Sequence, residues 1–437
     1  MTNSHERGPV SPVNPGDVRI VRLLVADAHG IVRAKSVSAE YFHSLGDRRH
    51  VWAAPVLYGD LSQNLPTDVT VPMGNAYLAP DMDTYAVLPW NPKVAVVICD
   101  LEPGIEIAPA PRSAARRVMS MAAAAGYTPV LGPEVEFYLF AGAPGQPQQP
   151  AFGMQDWYTD IALSRISGFV EDLYEYLPQL GVPVYEIFNE HGAGQMEINV
   201  APAIGLRALD QIFLTKLAVK ELAEAHGLHA TYMSCPSNDP QQPPSGFHLH
   251  QSLLDVNGKN VFDGPEGLSD LARHYIGGQL AHANGITGVA AATVTAYKRL
   301  RPNAYAPLRA GWGIDNRTAM IRAVPGGQKT RIENRLGASD ANPYLLAAVQ
   351  VAAGLDGIAK QTEPGEPNPG DIGSDARYPR VPSNLYDGVA AFAADAALVD
   401  AVGHDVAEMY CAVQRQVWER WSLHFTEWEI AEYRNVM

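Results

Sequence analysis

The sequence predicts an α+β protein in two parts, a small β-rich unit at the N-terminus and a larger unit of mixed helices and strands. Three observations predict it. Short apolar runs separated by turn residues fill Val18 to about Glu102, a proline-marked break follows at PGIEIAPAPR, and beyond it helical and strand periodicities alternate. The 437 residues allow roughly two or three domains, or one large domain carrying a smaller one.

Taken in order, DVRIVRLLVAD and IVRAKSV read as strands around a turn at Asp27 to Gly30, and VAVVICD closes the first unit. Arg112 to Ala125 is alanine-rich and stops at Gly126, as a helix with a glycine C-cap should. TDIALSRISGFVEDLYEYL places Ile166, Phe169, Val170, Leu173, Tyr174 and Leu177 on one helical stripe, ended by Pro178 and Gly181. A second helix runs from about Leu206 to His226 and stops at Gly227. The strands expected are TPVLGPEVEFYLF, GQMEINV, HATYMS, GFHLHQSLL, TAMIRAV and RIENRL. Asn257-Gly258 predicts a type I′ hairpin. NPYLLAAVQVAAGLDGIAK is apolar nearly all round and predicts a buried helix, EPGEPNPGDIGSD a surface loop, and Thr426-x-x-Glu429 a capping box opening a last short helix.

Composition narrows the function. Net charge is −15, which argues against nucleic-acid binding and attachment to anionic membranes. Cys99, Cys235 and Cys411 are widely spaced, with neither a disulfide framework nor a C-x-x-C zinc pattern. The first residues carry no apolar signal region and no long apolar run follows, so a cytoplasmic location is expected.

The informative anomaly is where the ionisable residues fall within the strands. Residues two apart share a face, so Glu134 pairs with Glu136, His248 with His250, and Arg331, Glu333 and Arg335 form a row, each set alternating with apolar positions. Glu197 lies between Met196 and Ile198, and Arg322 between Ile321 and Ala323. A solvated face carries a mixture of Lys, Thr, Ser and Glu, whereas this one is almost wholly Glu, His and Arg. If the strands converge, Glu134, Glu136, Glu190, Glu197 and Glu333 crowd with His248, and such crowding raises carboxyl pKa values unless cations neutralise it. Oxygen-rich ligation with one imidazole and no thiolate suits Mg²⁺ or Mn²⁺. Arg299, Arg317, Arg322, Arg331 and Arg335 add forked donors matched to phosphate and carboxylate. Metals with arginine forks describe a phosphoryl-transfer site.

Other motifs carry less. GGQKT lacks the order of a Walker loop, and GWGIDN and GAGQME do not complete a dinucleotide fingerprint. His226 and His229 straddle a helix end and read as incidental, and nothing places a base beside Cys235.

EVEFYLF, EHGAGQMEIN, SGFHLHQSL, KRLRPNAYAP, NRTAMIRAV, RIENRL and DANPYL occur in the order and spacing of the glutamine synthetase superfamily. The chain resembles its type I members, and in character the γ-glutamyl-amine ligases, such as the γ-glutamylpolyamine and γ-glutamylethanolamide synthetases. The resemblance implies a β-grasp domain over 1–107 and, over 108–437, a catalytic domain built on a distorted antiparallel β-barrel with surrounding helices. It implies a homo-oligomer of two stacked hexameric rings, a dodecamer, with active sites shared between neighbours. By the same likeness Glu136, Glu190 and Glu197 match the ligands of one divalent metal, and Glu134, His248 and Glu333 those of another. Arg299 matches the arginine on the glutamate α-carboxylate, with Gly246 and Arg335 also on the glutamate side. Arg317 and Arg335 match those at the transferring phosphoryl group, Arg322 and Arg331 those along the ATP phosphates, and His250 and Ser252 nucleotide contacts. The implied reaction joins L-glutamate to an amine at the expense of ATP, through a γ-glutamyl phosphate.

The sequence departs from the ammonia-using pattern at two acids. Tyr305 stands at the flap position of the glutamate that receives the ammonium proton, and Tyr58 at that of the ammonium-binding aspartate, with Asp60 two residues away. Two aromatic groups in place of two acids imply a larger primary amine, a monoamine or polyamine, with the cationic ends of a polyamine less well served. The alternatives are a true glutamine synthetase using ammonium and a non-catalytic scaffold of the same fold. Pro243-Pro244 replaces an Asn-Gly expected near glutamate, and GVAAF follows Asn384-Leu385-Tyr386, so adenylylation at Tyr386 is not expected.

Overall fold

The computed structural model describes residues 15–46, 49–102, 110–142, 145, 149–265 and 267–436. The boundary between 107 and 108 lies outside them. Six strands build the N-terminal unit: β1 (Ile20–Ala26), β2 (Val32–Ser38), β3 (His50–Ala53), β4 (Asn75–Pro80), β5 (Ala86–Val87) and β6 (Val94–Glu102). They run in the order β2-β1-β6-β4-β3, with β5 also on β6 and a parallel β1/β6 pair at the centre. Both faces of that pair are covered, as its near-continuous apolar sequence requires. Leu24, Val96 and Ile98 enter the main core, while Leu23, Val97 and Cys99 enter a second cluster completed by Met409 and Val413.

A ten-stranded sheet forms the larger unit from β7 (Thr128–Ala141), β8 (Gln149–Pro150), β9 (Val184–Asn189), β10 (Gln195–Val200), β11 (Ala203–Ile204), β12 (Leu228–Thr231), β13 (Phe247–Leu254), β14 (Trp312–Ile314), β15 (Ile321–Val324) and β16 (Arg331–Asn334). Its path is β14-β15-β16-β13-β7-β10-β9, antiparallel except for β14/β15. One face packs on helices: Val135, Phe137, Phe247, Leu249, Met196, Ile198 and Ile332 are fully buried. Helices Pro111–Ala124, Leu206–Ala225 and Pro343–Lys360 contribute to the same core. Among the described residues no helix is long and apolar enough to cross a membrane.

Three local expectations change. The stripe over residues 159–177 is two helices, Asp160–Arg165 and Ser167–Tyr176, because Ile166 leaves helical geometry at φ −120° and ψ 22°. The rotated second helix exposes Tyr174 while burying Phe169, Leu173 and Leu177. At Asn257-Gly258 only Gly258 has positive φ, so the turn is not type I′, which needs both residues there. Asp255 Oδ1 accepts from the backbone of Asn257 at 2.8 Å and Lys259 at 2.9 Å, holding the loop in a conformation closed by Gly258. Four strands, β8, β9, β11 and β14, lie where the sequence pattern showed none.

The two units share a buried charge cluster. Arg112, 3% exposed, donates from Nε and Nη2 to both oxygens of Asp210, from Nη1 to Asp100 and from Nη2 to Asp81. Tyr344 also donates to Asp210, at 2.8 Å. One guanidinium thereby ties β6 and the β4 exit to two helices of the main core. Arg112→Met should lower unfolding free energy by roughly 3–5 kcal/mol, since it strands buried carboxylates without their cation. Denaturant titration would register this as a lower midpoint at unchanged slope.

Candidate active site

The strand register sets the site before any side-chain contact is considered. On the face opposite the core, Glu136 stands directly across from Glu197, Glu134 from His248, His250 from Glu333, and Arg322 from Glu333. Five neighbouring strands thus lay their ionic residues in one field. That field is enclosed: Glu197, His248, His250 and Glu333 are each less than a tenth exposed. A solvated polar face is thereby excluded.

A cavity of about 500 Å³ opens on it. Glu134, Glu136, Glu190, Glu197, His248, Arg299, Tyr305, Arg317, Arg322 and Arg335 all line it. A second cavity, of about 550 Å³, is lined by His250, Ser252 and Arg331 together with Tyr185, Gln328 and Lys329. Glu134 lines both. The expected set therefore divides by place. Arg322, grouped with His250 and Arg331 by sequence, lies instead at the first cavity, where it donates to Glu333 at 3.0 Å and Asp315 at 2.9 Å. GGQKT, no Walker loop, forms a turn whose Gln328 and Lys329 border the second cavity.

Tyr58 is 7% exposed, packed in the N-terminal cluster, and does not line the cavity of its own chain. Asp60 is equally withdrawn, fully buried and paired with Arg420. His226 is bound to Asp172 at 2.7 Å, a structural pair across two helices. Cys235 lies in a loop, and burial raises its thiol.

The donor set fits a divalent cation. One potential ligand atom from each of Glu134, His248 and Glu333 falls within 4.8 Å of the others. Burial pushes His248 down to about 4, with the Arg335 charge assisting, so the imidazole is neutral and one of its ring nitrogens carries a lone pair. Burial alone would raise Glu134 and Glu333. The neighbouring imidazoles of His248 and His250, the latter 2.7 Å from Glu134 Oε1, hold Glu134 well below the usual carboxylate range, and the Arg335 charge takes Glu333 down to about 2. Two anions and a neutral imidazole at one point are the ligation of a hard cation.

Glu136, Glu190 and Glu197 behave in the opposite sense. Burial, then the charge of Glu190, raises Glu136 to about 7; burial and the facing Glu136 raise Glu197 well above its ordinary value, and burial raises Glu190. Their oxygens share the cavity without closing as the first trio does. Three carboxylates that resist ionising together are a second place for positive charge.

Arg299, 2% exposed, is held by the carbonyls of Leu336 at 3.1 Å and Arg335 at 3.0 Å. Gly246 donates its backbone N–H to Glu136 at 2.9 Å, and a Cβ there would come within 2.8 Å of His248 and 2.9 Å of Arg299. Only glycine leaves that approach open.

Sequence reasoning missed an aromatic rim. Trp157, Tyr158, Phe188 and His191 line the first cavity with Tyr305. Tyr158 and Tyr305 hold φ of 54° and 53°, a left-handed backbone that costs a bulky residue about 1–3 kcal/mol. A Trp-Tyr pair in an irregular segment before Thr159 has no periodicity to betray it.

With this geometry in hand, comparison with known proteins is specific. Residues 108–433 match the model of the glutamine synthetase catalytic domain. The chain is 31% identical over 434 residues to a glutamine synthetase of Thermotoga maritima, covering 95% of this chain and 96% of that one. It is 30% identical to a γ-glutamylanilide synthase of an Acinetobacter species, covering 96% and 93%. A solved GmaS–ADP complex superposes with TM-score 0.85 at 31% identity, covering 96% and 97%.

Mn²⁺ should raise the melting temperature of the wild type, by about 2.7 kcal/mol of stabilisation at a hundredfold excess over Kd. Glu333→Gln, which removes a charge from the tight trio, should abolish most of that shift. An undiminished shift in the variant would place the ion elsewhere.

Proposed function

The chain belongs to the glutamine synthetase family, and on that premise we propose that it is an ATP-dependent ligase joining the γ-carboxylate of L-glutamate to a primary amine other than ammonia. The observation that carries the amine assignment is the cavity mouth, where Tyr305 stands on a segment, residues 300–310, that contains two other arginines, Arg301 and Arg309, and no carboxylate.

Glu134, His248 and Glu333 would hold one Mg²⁺ or Mn²⁺, and Glu136, Glu190 and Glu197 another. When bound, these ions supply charge neutralisation for the phosphoryl oxygens and orient the nucleotide phosphates. The remaining chemistry falls to the chain's own residues. His250, Ser252 and Arg331 take the nucleotide in the second cavity, adjoining the first at Glu134. Arg299 and Gly246 hold the amino-acid end of glutamate, whose γ-carboxylate attacks the terminal phosphorus of ATP. Arg317, Arg322 and Arg335 face the transferring group with forked donors that stabilise charge as it spreads over the phosphoryl oxygens. The product is an acyl phosphate, and an uncharged amine displaces the phosphate from it.

Arg322 serves the phosphoryl side of the first cavity in this reading, and Tyr58 has no part within its own chain. An assembly of two hexameric rings belongs to the same reading. Ammonium is favoured as a second reading by Glu190, a cavity-lining carboxyl whose raised pKa suits proton exchange.

Phosphate release with ATP and glutamate, measured over ammonium, ethanolamine, short alkylamines and polyamines, decides between them. At least one monoamine should exceed ammonium in kcat/KM by about tenfold or more, the scale on which a fitted pocket discriminates small groups. Ammonium as the best substrate would assign the chain to glutamine synthesis, and phosphate release with none would return it to a scaffold.

A further inference from the structure

Segment 335–341 joins β16 to Asn342, the cap of the helix Pro343–Lys360, and it carries Arg335 into the first cavity. Two buried cations grip its carbonyls. Arg299 takes those of Arg335 and Leu336 from the cavity side. Lys216, on the helix Leu206–Ala225, takes those of Ser339 at 2.7 Å and Ala341 at 3.2 Å from the core side, where Phe247 also lies. Further bonds tie the segment to its surroundings: the N–H of Ala338 donates to Ala290 at 2.9 Å, that of Ser339 to Ser245 at 3.3 Å, and the Ser339 hydroxyl to Tyr232 at 2.8 Å. Phe247, next to His248, donates to Gly337 at 2.9 Å. The segment is therefore bonded both to the two cations and to the strand that bears His248.

A lysine is an expensive group to put there. Its ammonium lies 5.0 Å from the centre of the Tyr232 ring and 5.4 Å from that of Phe247, and it lines neither cavity. Burial lowers it to about 7. Asp340 on the segment attracts it from a distance, Lys220 on its own helix repels it, and the phenol of Tyr232, raised by burial, stays neutral beside it. An apolar side chain of similar length fills such a space without the desolvation penalty of a charge. What the ammonium adds is its hold on two carbonyls.

That hold bears on the aim of two guanidinium groups. Arg335 bonds Glu333 of the tight trio and lines the first cavity together with Arg299. Both take their place from the near end of the segment, Arg335 through its own backbone and Arg299 through the two carbonyls it binds. Lys216 fixes the far end. Without it the charged grip on the segment comes from the cavity side alone, from a side chain that must also serve the substrate. A displacement of about 1 Å in a reacting constellation costs roughly a hundredfold in rate, even when its origin is remote.

We propose that Lys216 is a positioning residue for activation of the carboxyl group: from outside the cavity it holds segment 335–341 so that Arg335 and Arg299 meet the phosphoryl group and glutamate in reacting geometry. The assignment rests on the ligase reading above and adds to it a residue that touches no substrate. Lysine suits the task, because a compact ammonium with three rotatable donors serves two carbonyls at once. The nucleotide side is left alone, since His250, Ser252 and Arg331 line the second cavity and none belongs to the segment.

The test uses the full-length enzyme with ATP, L-glutamate, Mg²⁺ and hydroxylamine, whose hydroxamate reports the acyl phosphate and whose nitrogen is uncharged above neutral pH. Lys216→Met should lower kcat by about a hundredfold while the KM for ATP holds. Lys216→Gln, which keeps a donor without the charge, should fall between Lys216→Met and wild type, and it carries the comparison if the methionine variant does not fold. Hydrogen exchange should rise in peptides covering 335–341 in either neutral variant and stay unchanged in those covering β7 and β13. Lys216 holds its charge below about 7 and loses it above, so wild-type kcat should decline as pH rises through that point. Lys216→Arg stays charged, and should keep most of the activity and lack that decline. A neutral variant with wild-type kcat, or one whose exchange rises throughout the chain, overturns the positioning role while leaving the ligase intact. Absence of any hydroxamate from the wild type removes the ligase reading, and the positioning role with it.

Discussion

Two carboxylates facing each other across one pair of strands set the terms for what surrounds them. Glu136 and Glu197 occupy directly opposed positions on β7 and β10, where like charges repel. The apolar face beneath holds them there. Val135, Phe137, Met196 and Ile198 are fully buried, and a slip of one residue would drive the glutamates into the core and those four side chains out. Register is thus fixed from the hydrophobic side and its electrostatic consequence is felt on the other. Gln195 Nε2 and the Gly246 N–H each donate to Glu136, which eases the repulsion without supplying a charge. The positive charge must come from Arg299, Arg335 or an ion.

The segment that follows β16 shows how the fold keeps cations beside such a field. Lys216, 9% exposed, donates to the carbonyls of Ser339 and Ala341, and Arg299 to those of Arg335 and Leu336. Burial takes Lys216 down to about 7, a measure of how little water reaches it. Residues 335–341 are laced at both ends by side chains from other elements, so Arg335 enters the cavity from a fixed backbone. Farther out, Asn342 caps its helix with Oδ1 and donates from Nδ2 to the carbonyls of Asp27 and Ala28. Gly30 lies against the same asparagine at positive φ, where a Cβ would come within 2.9 Å of the Asn342 Cα. The N-terminal hairpin is therefore hydrogen-bonded to the residue that opens the helix after β16.

What could be read from the sequence follows the reach of each signal. Period-two alternation places Glu134, Glu136, Glu197, His248, His250 and Glu333 on one face, because the pleat leaves no other option. Glycine stops at Gly126, Gly181 and Gly227 are found at positive φ, and the capping box at Thr426 and Glu429 forms as expected. Tertiary choices are less visible. Ile166 breaks a helix that its apolar stripe would continue, and Asp255 recasts a hairpin that Asn257-Gly258 alone would write differently. β14 is three residues beside a parallel partner, too short for a pattern. Tyr58 and Asp60 show the same boundary: proximity to a site is a property of packing, and within the chain both sit by the helix His404–Ser422, Asp60 through Arg420 and Tyr58 in the cluster that holds Met409 and Val413. Trp157 and Tyr158 escaped because an irregular loop encodes its geometry in hydrogen bonds to Asp156 rather than in spacing.

The division between strands and loops also separates two kinds of chemistry. Most groups suited to cations and phosphoryl oxygens sit on β7, β10, β13, β15 and β16, whose positions are fixed by the core. The aromatic rim rises largely from connecting segments, around 154–159, 190–194 and 300–306, which the core constrains only through a few side-chain anchors. Substitutions in those segments would, in the proposed reading, alter what the mouth accepts without disturbing the register of Glu136 against Glu197. A scaffold so divided keeps activation of the carboxyl group constant while the nucleophile changes. In the amine-ligase reading proposed above, Tyr305 in place of an acid would leave the mouth without a group that binds a cation and accepts its proton, and the selectivity of the second step would shift toward nucleophiles that arrive uncharged, whatever ions the strands hold beneath.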